Sequence, residues 1–283
     1  MNATIASTSA EVLRLRKWPA VWITIGAWLG LTVLFGYLFN YVSYSTGDSS
    51  FSNEGVSSDS LLAEILPGNV PHVLIDGMPM FGGALMMVLG ALVAGSGYSW
   101  GTWKTVFTQG PGRLSVVTGS IAALTIFVVA TVLASLALCF GLSLLVGGVE
   151  SQTVVWPSLP DLARSTGAGF LVMEVWALLG FLLGTVARGP ALAVGLGLVW
   201  ALVVENLLRG VGELLGAIEA FTKILPGTGG GSLVGSIVGT GGPDPAPGVI
   251  DTLPAGQALV VLAAYLVLTP AIAAVLVARR DVA

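Results

Sequence analysis

One carboxylate, Glu174, lies inside a long apolar stretch, where it is flanked by Met173 and Val175. An ionisable side chain within a membrane-crossing segment is costly, so Glu174 is a candidate functional residue. The sequence leaves three roles open for it. Glu174 lines a substrate pathway, makes a hydrogen bond to a neighbouring helix, or reaches external water.

Few other residues have the types and spacing that chemistry requires. The lone histidine, His72, has no cysteine or second histidine with which to form a metal site, so we expect no metal and a structural or solvated His72. The single cysteine, Cys139, lies in an apolar run and cannot form a disulfide within the chain. No lysine follows a glycine as a phosphate-binding loop requires, so this chain is expected to bind no ATP and to be no enzyme.

The scarcity of charged residues indicates which kind of structural element holds these side chains. Charged residues make up 9% of the 283-residue chain and hydrophobic residues 55%. A soluble domain usually carries roughly 25% charged residues, so this chain has too little charge to cover a water-exposed surface. The composition therefore indicates a membrane protein with several spans.

Six apolar stretches are each long enough to cross a bilayer, whose hydrocarbon core of ~30 Å requires about 20 residues of helix. We predict an all-α protein with a single transmembrane domain over residues 1–283. The predicted spans are residues 19–39, 79–96, 116–146, 166–186, 190–208 and 256–278. The cytoplasmic connection is then 97–115, and the external loops are 41–78, 147–165 and 209–255.

The basic residues predict the orientation of these spans, because they favour the cytoplasmic side. With a cytoplasmic N-terminus, eight of the eleven lie inside, namely Arg14, Arg16, Lys17, Lys104, Arg113, Arg188, Arg279 and Arg280. Only Arg164, Arg209 and Lys223 lie outside. Both termini are therefore expected in the cytoplasm.

A short basic helix is predicted before the first span. Thr8 and Glu11 have the spacing of a capping box, which predicts a helix that starts there and ends before Pro19. Its basic residues, Arg14, Arg16 and Lys17, suit the inner headgroup layer. The alternative is an ordinary basic flank that only sets the topology.

The segment between the second and third spans is the most specific motif in the chain. Trp100, Trp103 and Phe107 share one face of a predicted helix, which Gly110-Pro111-Gly112 ends. An aromatic face of this kind at the cytoplasmic surface suits a groove on a partner protein. The alternative is an interfacial anchor in the bilayer.

This segment resembles the first intracellular loop of type-2 ATP-binding cassette permeases. The resemblance rests on Trp100-Gly101-Thr102-x-Lys104-Thr105 and on Gly110-Pro111-x-Arg113, and it extends to the basic first helix, the six spans and the long loop before span six. One departure is Gly97-Tyr98-Ser99, where the family often has an acidic residue. The resemblance implies an elbow helix containing Glu11, Arg14, Arg16 and Lys17, and a coupling helix whose Trp100, Thr102, Trp103, Lys104, Phe107 and Arg113 meet an ATPase subunit.

Two further patterns concern packing and the external side. Gly26-x-x-x-Gly30 and Gly180-x-x-x-Gly184 predict close helix approach. Residues 212–225 predict an external amphipathic helix with a Glu219–Lys223 pair, and its Leu214, Ile218 and Phe221 are candidates for an external gate. The glycine-rich stretch 227–248 is interpreted as flexible, and Glu205 as interfacial.

The function that this resemblance implies is the permease subunit of an ATP-driven exporter. ATP and Mg²⁺ would bind the partner ATPase subunit, a second permease copy would complete a homodimer, and no cofactor or nucleic acid is expected on this chain. The apolar spans favour an amphipathic or hydrophobic substrate such as a drug, peptide or lipid. The composition is typical of a bacterial cell-membrane protein. The alternatives are a non-transporting scaffold or sensor and a secondary transporter.

Overall fold

The computed structural model describes residues 3–47, 57–212, 216–240 and 246–280, and every regular element in these ranges is helical. Six of the helices are long and apolar enough to cross a membrane, as predicted. They are Pro19–Thr46, Met78–Ser99, Arg113–Val149, Leu159–Ala187, Pro190–Gly212 and Ala255–Arg279. We refer to them as spans one to six.

Three spans contain a π-helical turn. Span one consists of α2 (Pro19–Val33), the turn Leu34–Leu38 and α3 (Phe39–Thr46), and span two of the turn Met78–Gly82 and α6 (Gly83–Ser99). Span five consists of α10 (Pro190–Val199), the turn Trp200–Val204 and α11 (Glu205–Gly212). Spans three, four and six are the single helices α8, α9 and α14. Span one therefore continues past the predicted end at residue 39.

Shorter helices lie outside the spans. They are α1 (Ala3–Lys17), α4 (Ser58–Glu64), the 3-10 turn Pro67–Asn69, α5 (Val70–Asp76), α7 (Thr102–Thr108), α12 (Gly216–Thr222) and α13 (Pro226–Val238). A short helix was predicted at the N-terminus, in the connection 97–115 and within residues 212–225, and the others lie in segments predicted as loops. The start predicted for α1 is wrong. Thr8 lies inside the helix and its hydroxyl donates to the Thr4 carbonyl, while Glu11 pairs with Arg14, so no capping box forms.

Spans two and four form the centre of the molecule because glycines let their backbones touch. A Cβ atom at Gly90 would lie 1.9 Å from the Ala177 carbonyl oxygen, and one at Gly180 would lie 2.0 Å from that of Met87. Gly184 makes a similar approach to Ala91. The Gly180-x-x-x-Gly184 prediction is confirmed, whereas Gly26 and Gly30 have no atom within 4 Å of their Cβ positions.

Span one is attached to span three by a series of polar contacts. The Trp28 indole donates to Ser135 at 2.8 Å, and the Tyr37 hydroxyl donates to the Cys139 carbonyl at 3.0 Å. Tyr41 and Tyr44 both bond the Glu150 carboxylate. Because these contacts advance along both helices in the same direction, spans one and three run parallel.

Helix α13 is formed by a sequence that predicts no helix at all. Its residues Pro226 to Gly235 are all buried. A Cβ at Gly231 would lie 2.2 Å from the Gly248 carbonyl oxygen, and one at Gly235 equally close to that of Ile250. The glycines therefore allow the following chain segment to pack directly on the helix, and this burial outweighs their poor helix propensity.

Candidate functional site

The first candidate site is a platform at the end of the molecule where α1 lies. It consists of α1, α7 and the adjoining parts of α6 and α8, and Arg113 of α8 connects it to the end of α14. Leu15 is fully buried, and a Cβ at Gly119 of α8 would lie 2.6 Å from the Ser7 hydroxyl oxygen of α1. Helix α1 is therefore packed tightly against the start of span three.

Arg14 links α1 to span two. Its guanidinium pairs with Glu11 and donates to the Ser96 hydroxyl at 3.1 Å and to the Val93 carbonyl at 3.2 Å. The neighbouring basic residues, Arg16 and Lys17, are exposed. Of the four residues predicted for an elbow helix, two therefore hold α1 in place and two face outward.

Helix α7 is fixed to span two by Trp103. This side chain is only 5% exposed, and its indole donates to the Ala94 carbonyl at 3.1 Å. The ring covers Gly97, where a Cβ would lie 2.0 Å from the indole nitrogen. Phe107 is half-buried beside it, with ring centroids 5.5 Å apart.

The prediction that Trp100, Trp103 and Phe107 share one exposed face is therefore wrong. Trp103 faces the protein, and Trp100 lies outside α7, 61% exposed, with its ring against Trp18. Thr102 is partly buried at the start of the helix. The side that α7 exposes is polar instead, and it consists of Lys104, Thr105 and Thr108, followed by Gln109.

Arg113 joins the platform to span six. Its guanidinium donates to the carbonyls of Val277 at 3.3 Å and Arg280 at 2.7 Å, and it lies 5.6 Å from the centre of the Phe107 ring. A cation at a helix C-terminus also compensates the negative end of the helix dipole. Arg113 thus connects α7, span three and the end of span six.

The second candidate site is the carboxylate that the sequence analysis singled out. Glu174 is 4% exposed, and its Oε1 atom accepts a 2.6 Å hydrogen bond from the Thr125 hydroxyl of span three. Its Oε2 atom is buried and has no hydrogen-bond partner within the described ranges. This geometry matches the helix–helix hydrogen bond among the three roles considered.

A third site lies in the second half of span five, where Glu205, interpreted from the sequence as interfacial, is buried inside the protein. Glu205 is 1% exposed. Its Oε1 atom accepts from the Trp200 indole at 2.8 Å, and its Oε2 atom accepts from the Gly227 backbone N–H at 2.9 Å. Sequence reasoning missed this because the partner at the start of α13 is 22 residues away. The sequence did contain one signal of a buried carboxylate, since Glu205 lies four positions before Arg209 within an apolar span.

Glu205 holds a helical hairpin that returns into the membrane-spanning region. Helix α12 packs beside the end of span five, with Gly212 near Glu219, and α13 runs back along spans four and six. Near the turn, the Tyr265 hydroxyl of span six donates to the Ile224 carbonyl at 3.2 Å. Tyr265 is ten residues into span six, which is about 15 Å along that helix from its start, and the turn that it contacts lies at a similar depth.

The residues predicted for an external gate lie on this hairpin. Phe221 is 46% exposed and Ile218 is partly exposed, while Leu214 is outside the described residues. The predicted Glu219–Lys223 pair is confirmed, with the two charged atoms 2.7 Å apart. It lowers the pKa of the Glu219 carboxyl, chiefly through the hydrogen bond from Lys223.

A further carboxylate, Asp76, ends α5 just before span two. Burial and, to a lesser degree, the negative charge of Glu64 raise its pKa to about 7. Its Oδ1 atom is buried without a hydrogen-bond partner in the ranges that the structure describes. Among those same residues, no group of three or more His, Cys, Asp or Glu side chains could hold a metal ion.

No protein-family model matches this chain, and no curated protein is significantly similar to it.

Proposed function

We propose that this chain is the membrane-spanning permease subunit of an ATP-driven exporter. The observation that carries the proposal is the platform. Helix α7 is held against span two by Trp103 and is linked through Arg113 to spans three and six, while its other side is polar and exposed. A rigid surface helix with these connections suits a docking site for a subunit that moves the spans.

In this proposal the partner is a separate ATPase subunit, which binds ATP and Mg²⁺. Lys104, Thr105, Thr108 and Gln109 meet that subunit, and Lys104 contributes charge at the rim, which mainly affects the association rate. Trp103 and Phe107 lie on the side of α7 that faces the protein, and they transmit force from α7 to span two. Helix α1 is the elbow helix in the inner headgroup layer.

The docking test co-expresses this chain with a soluble ATPase encoded by a neighbouring gene and purifies the two in mild detergent, and the absence of such a gene would itself count against the proposal. Lys104→Glu combined with Thr108→Glu is expected to release the ATPase, because both positions are exposed and the change leaves the packing of Trp103 intact. Lys223→Glu, a charge reversal on the hairpin, is the matched control. An ATPase that remains bound to the Lys104→Glu, Thr108→Glu variant at unchanged stoichiometry argues against the proposal.

The proposed location is a bacterial cell membrane, with both termini in the cytoplasm and a second copy completing the transporter. The orientation rests on the eight basic residues that then lie inside. A cysteine at Ser57 is expected to react with an impermeant maleimide from outside, and one at Thr108 is not. The native Cys139 is buried and gives little background. Labelling at Thr108 from outside would reverse the topology.

The proposed substrate is amphipathic or hydrophobic, such as a drug, peptide or lipid, and it leaves between the two copies. The α12–α13 hairpin, with Ile218 and Phe221 on its exposed surface, forms the external gate. Export of a fluorescent amphipathic dye from membrane vesicles that contain both subunits tests this step. Dye export that is independent of ATP would contradict an ATP-driven mechanism.

A secondary transporter is the second candidate, because two carboxylates, Glu174 and Glu205, are buried within spans. Buried acidic residues of this kind carry the coupling proton in many transporters. The two functions are distinguished in vesicles that contain this chain alone. Transport driven by a pH gradient without ATPase supports the second candidate, and transport that requires the ATPase subunit and ATP supports the first.

A further inference from the structure

The segment that joins spans three and four carries exposed apolar side chains that a loop in water would not be expected to have. Val155 is 66% exposed, Trp156 62% and Leu159 79%. Large apolar surfaces that lie together and remain uncovered usually mark a contact with a membrane or a partner. The sequence analysis placed this segment, residues 147–165, simply outside the membrane.

Trp156 does not extend away from the end of span three but folds back along it. Its ring lies 5.9 Å from the ring of Phe140, measured between centroids. Phe140 is nine residues before Val149, where α8 ends. At 1.5 Å per residue, this contact is about 14 Å below the end of the helix.

A second tryptophan shows how deep this position is. The ring of Trp22, in span one, lies 6.3 Å from the ring of Phe127 in α8, measured between centroids. The Trp22 indole also donates to the Arg16 carbonyl at 2.8 Å. Because Trp22 is tied to the exposed basic pair Arg16 and Lys17, its ring marks the membrane boundary on the α1 side. Trp22 is therefore a reference point for depth along α8.

Phe127 and Phe140, the two contact points on α8, are thirteen residues apart, which corresponds to about 20 Å along the helix. The hydrocarbon core of a bilayer is about 30 Å thick. The ring of Trp156 therefore lies within the bilayer or at its opposite boundary. It does not lie in bulk water.

The surroundings of Trp156 agree with this depth. Exposed apolar side chains of α8 extend to its end at Leu144, Leu145 and Val149, and after the polar residues 150–153 the chain again exposes apolar side chains at Val154 and Val155. Polar groups begin immediately afterwards. Ser158 caps the first turn of α9 and bonds Asp161, and both residues are exposed. Apolar residues followed at once by a capped helix end suit the boundary between acyl chains and headgroups.

We propose that residues 154–159 form a membrane anchor in the leaflet opposite α1, with Trp156 inserted at the headgroup–acyl boundary. The partner of this surface is phospholipid rather than another protein. The anchor holds the start of span four at a fixed depth. This proposal is independent of the transport function, because it rests only on the six spans and on the contacts of α8.

The experiment places an environment-sensitive fluorophore on Trp156→Cys in a Cys139→Ala background, with the protein reconstituted in phosphatidylcholine vesicles. A lipid carrying a nitroxide near the top of its acyl chain is expected to quench this label by about twofold, and aqueous iodide is expected to have little effect. Gln152→Cys is the matched control, since it is exposed and polar on the same segment. Iodide is expected to quench the control and the lipid is not.

Two outcomes would overturn the proposal. Quenching of the Trp156→Cys label by iodide as strong as that of the control would place the segment in water. Quenching by neither reagent would mean that protein covers the surface. If Trp156→Cys does not fold, Leu159→Cys replaces it, because Leu159 is the most exposed of the three apolar side chains and its packing contributes least.

Discussion

Glu205 and Gly227 are joined by a 2.9 Å hydrogen bond from a backbone N–H to a carboxylate, and both residues are buried. The bond places the Glu205 carboxyl group at the N-terminus of the 13-residue helix α13, where the helix dipole favours a carboxylate. It explains how a carboxylate is tolerated inside span five. It also fixes the re-entrant hairpin to that span.

Gly227→Ala is expected to destabilise the hairpin, because the added Cβ would lie 2.1 Å from the Glu205 Oε2 atom. Overpacking of this kind typically costs about 1–3 kcal/mol. Gly210→Ala is the control, since no atom lies within 4 Å of its Cβ position. Thermal unfolding in detergent should show a lower Tm for the first variant only, and equal Tm values would contradict the role of Gly227.

Thr125→Val is expected to weaken the contact between spans three and four by ~1 kcal/mol or less, because it removes the donor to Glu174 while keeping the side-chain shape. In a double-mutant cycle, Glu174→Leu should cost less in the Thr125→Val background than alone. If the change in unfolding free energy of the double variant equals the sum of the changes in the two single variants, the two side chains do not interact. Thr118→Val, an exposed threonine of the same helix, is the control.

The stability of the protein is expected to fall as the pH rises from about 4 to above 7, in part because of Asp76. Its pKa is raised from 3.8 to about 7 by burial, so the folded protein holds this proton more tightly than the unfolded chain does. The stabilising contribution of Asp76 is therefore fully present below its pKa in the unfolded chain. It is lost as the pH rises through its pKa in the folded protein.

Asp76→Asn should remove that part of the pH dependence and stabilise the protein at pH ~8 by on the order of a few kcal/mol. Asp59→Asn, at an exposed aspartate of α4, should leave the dependence of Tm on pH unchanged. The measurement is Tm against pH for both variants and the wild type. An unchanged slope for Asp76→Asn would show that the carboxyl is already solvated.

Arg113→Gln is expected to loosen the end of span six, because Arg113 donates to carbonyls of its last turn. Amide hydrogen exchange of residues 275–280 should become faster, while α9 keeps its protection. Lys104→Gln, on the exposed side of α7, should change neither region. Unchanged exchange at residues 275–280 would exclude the proposed link between the platform and span six.

The number and approximate position of the spans could be predicted because hydropathy is a local property. A stretch of about 20 apolar residues can satisfy its backbone in lipid only as a helix, whatever its neighbours are. The Glu219–Lys223 pair and the Gly180-x-x-x-Gly184 contact followed equally from spacing on one helix. Even the choice of Glu174 required only its apolar surroundings.

What the sequence misjudged depends on contacts between distant segments. Trp103 has the spacing of an exposed docking residue, but Gly97 leaves space for its ring and the Ala94 carbonyl accepts its indole hydrogen. The glycines of α13 predict flexibility, yet residues that follow in the chain pack onto them. Glu205 is stabilised by an N–H group 22 residues further on. The sequence by itself determined which segments enter the membrane, since that depends on the transfer free energy of each segment alone. Only the tertiary structure decided which polar groups are buried together, because that depends on where separate helices meet.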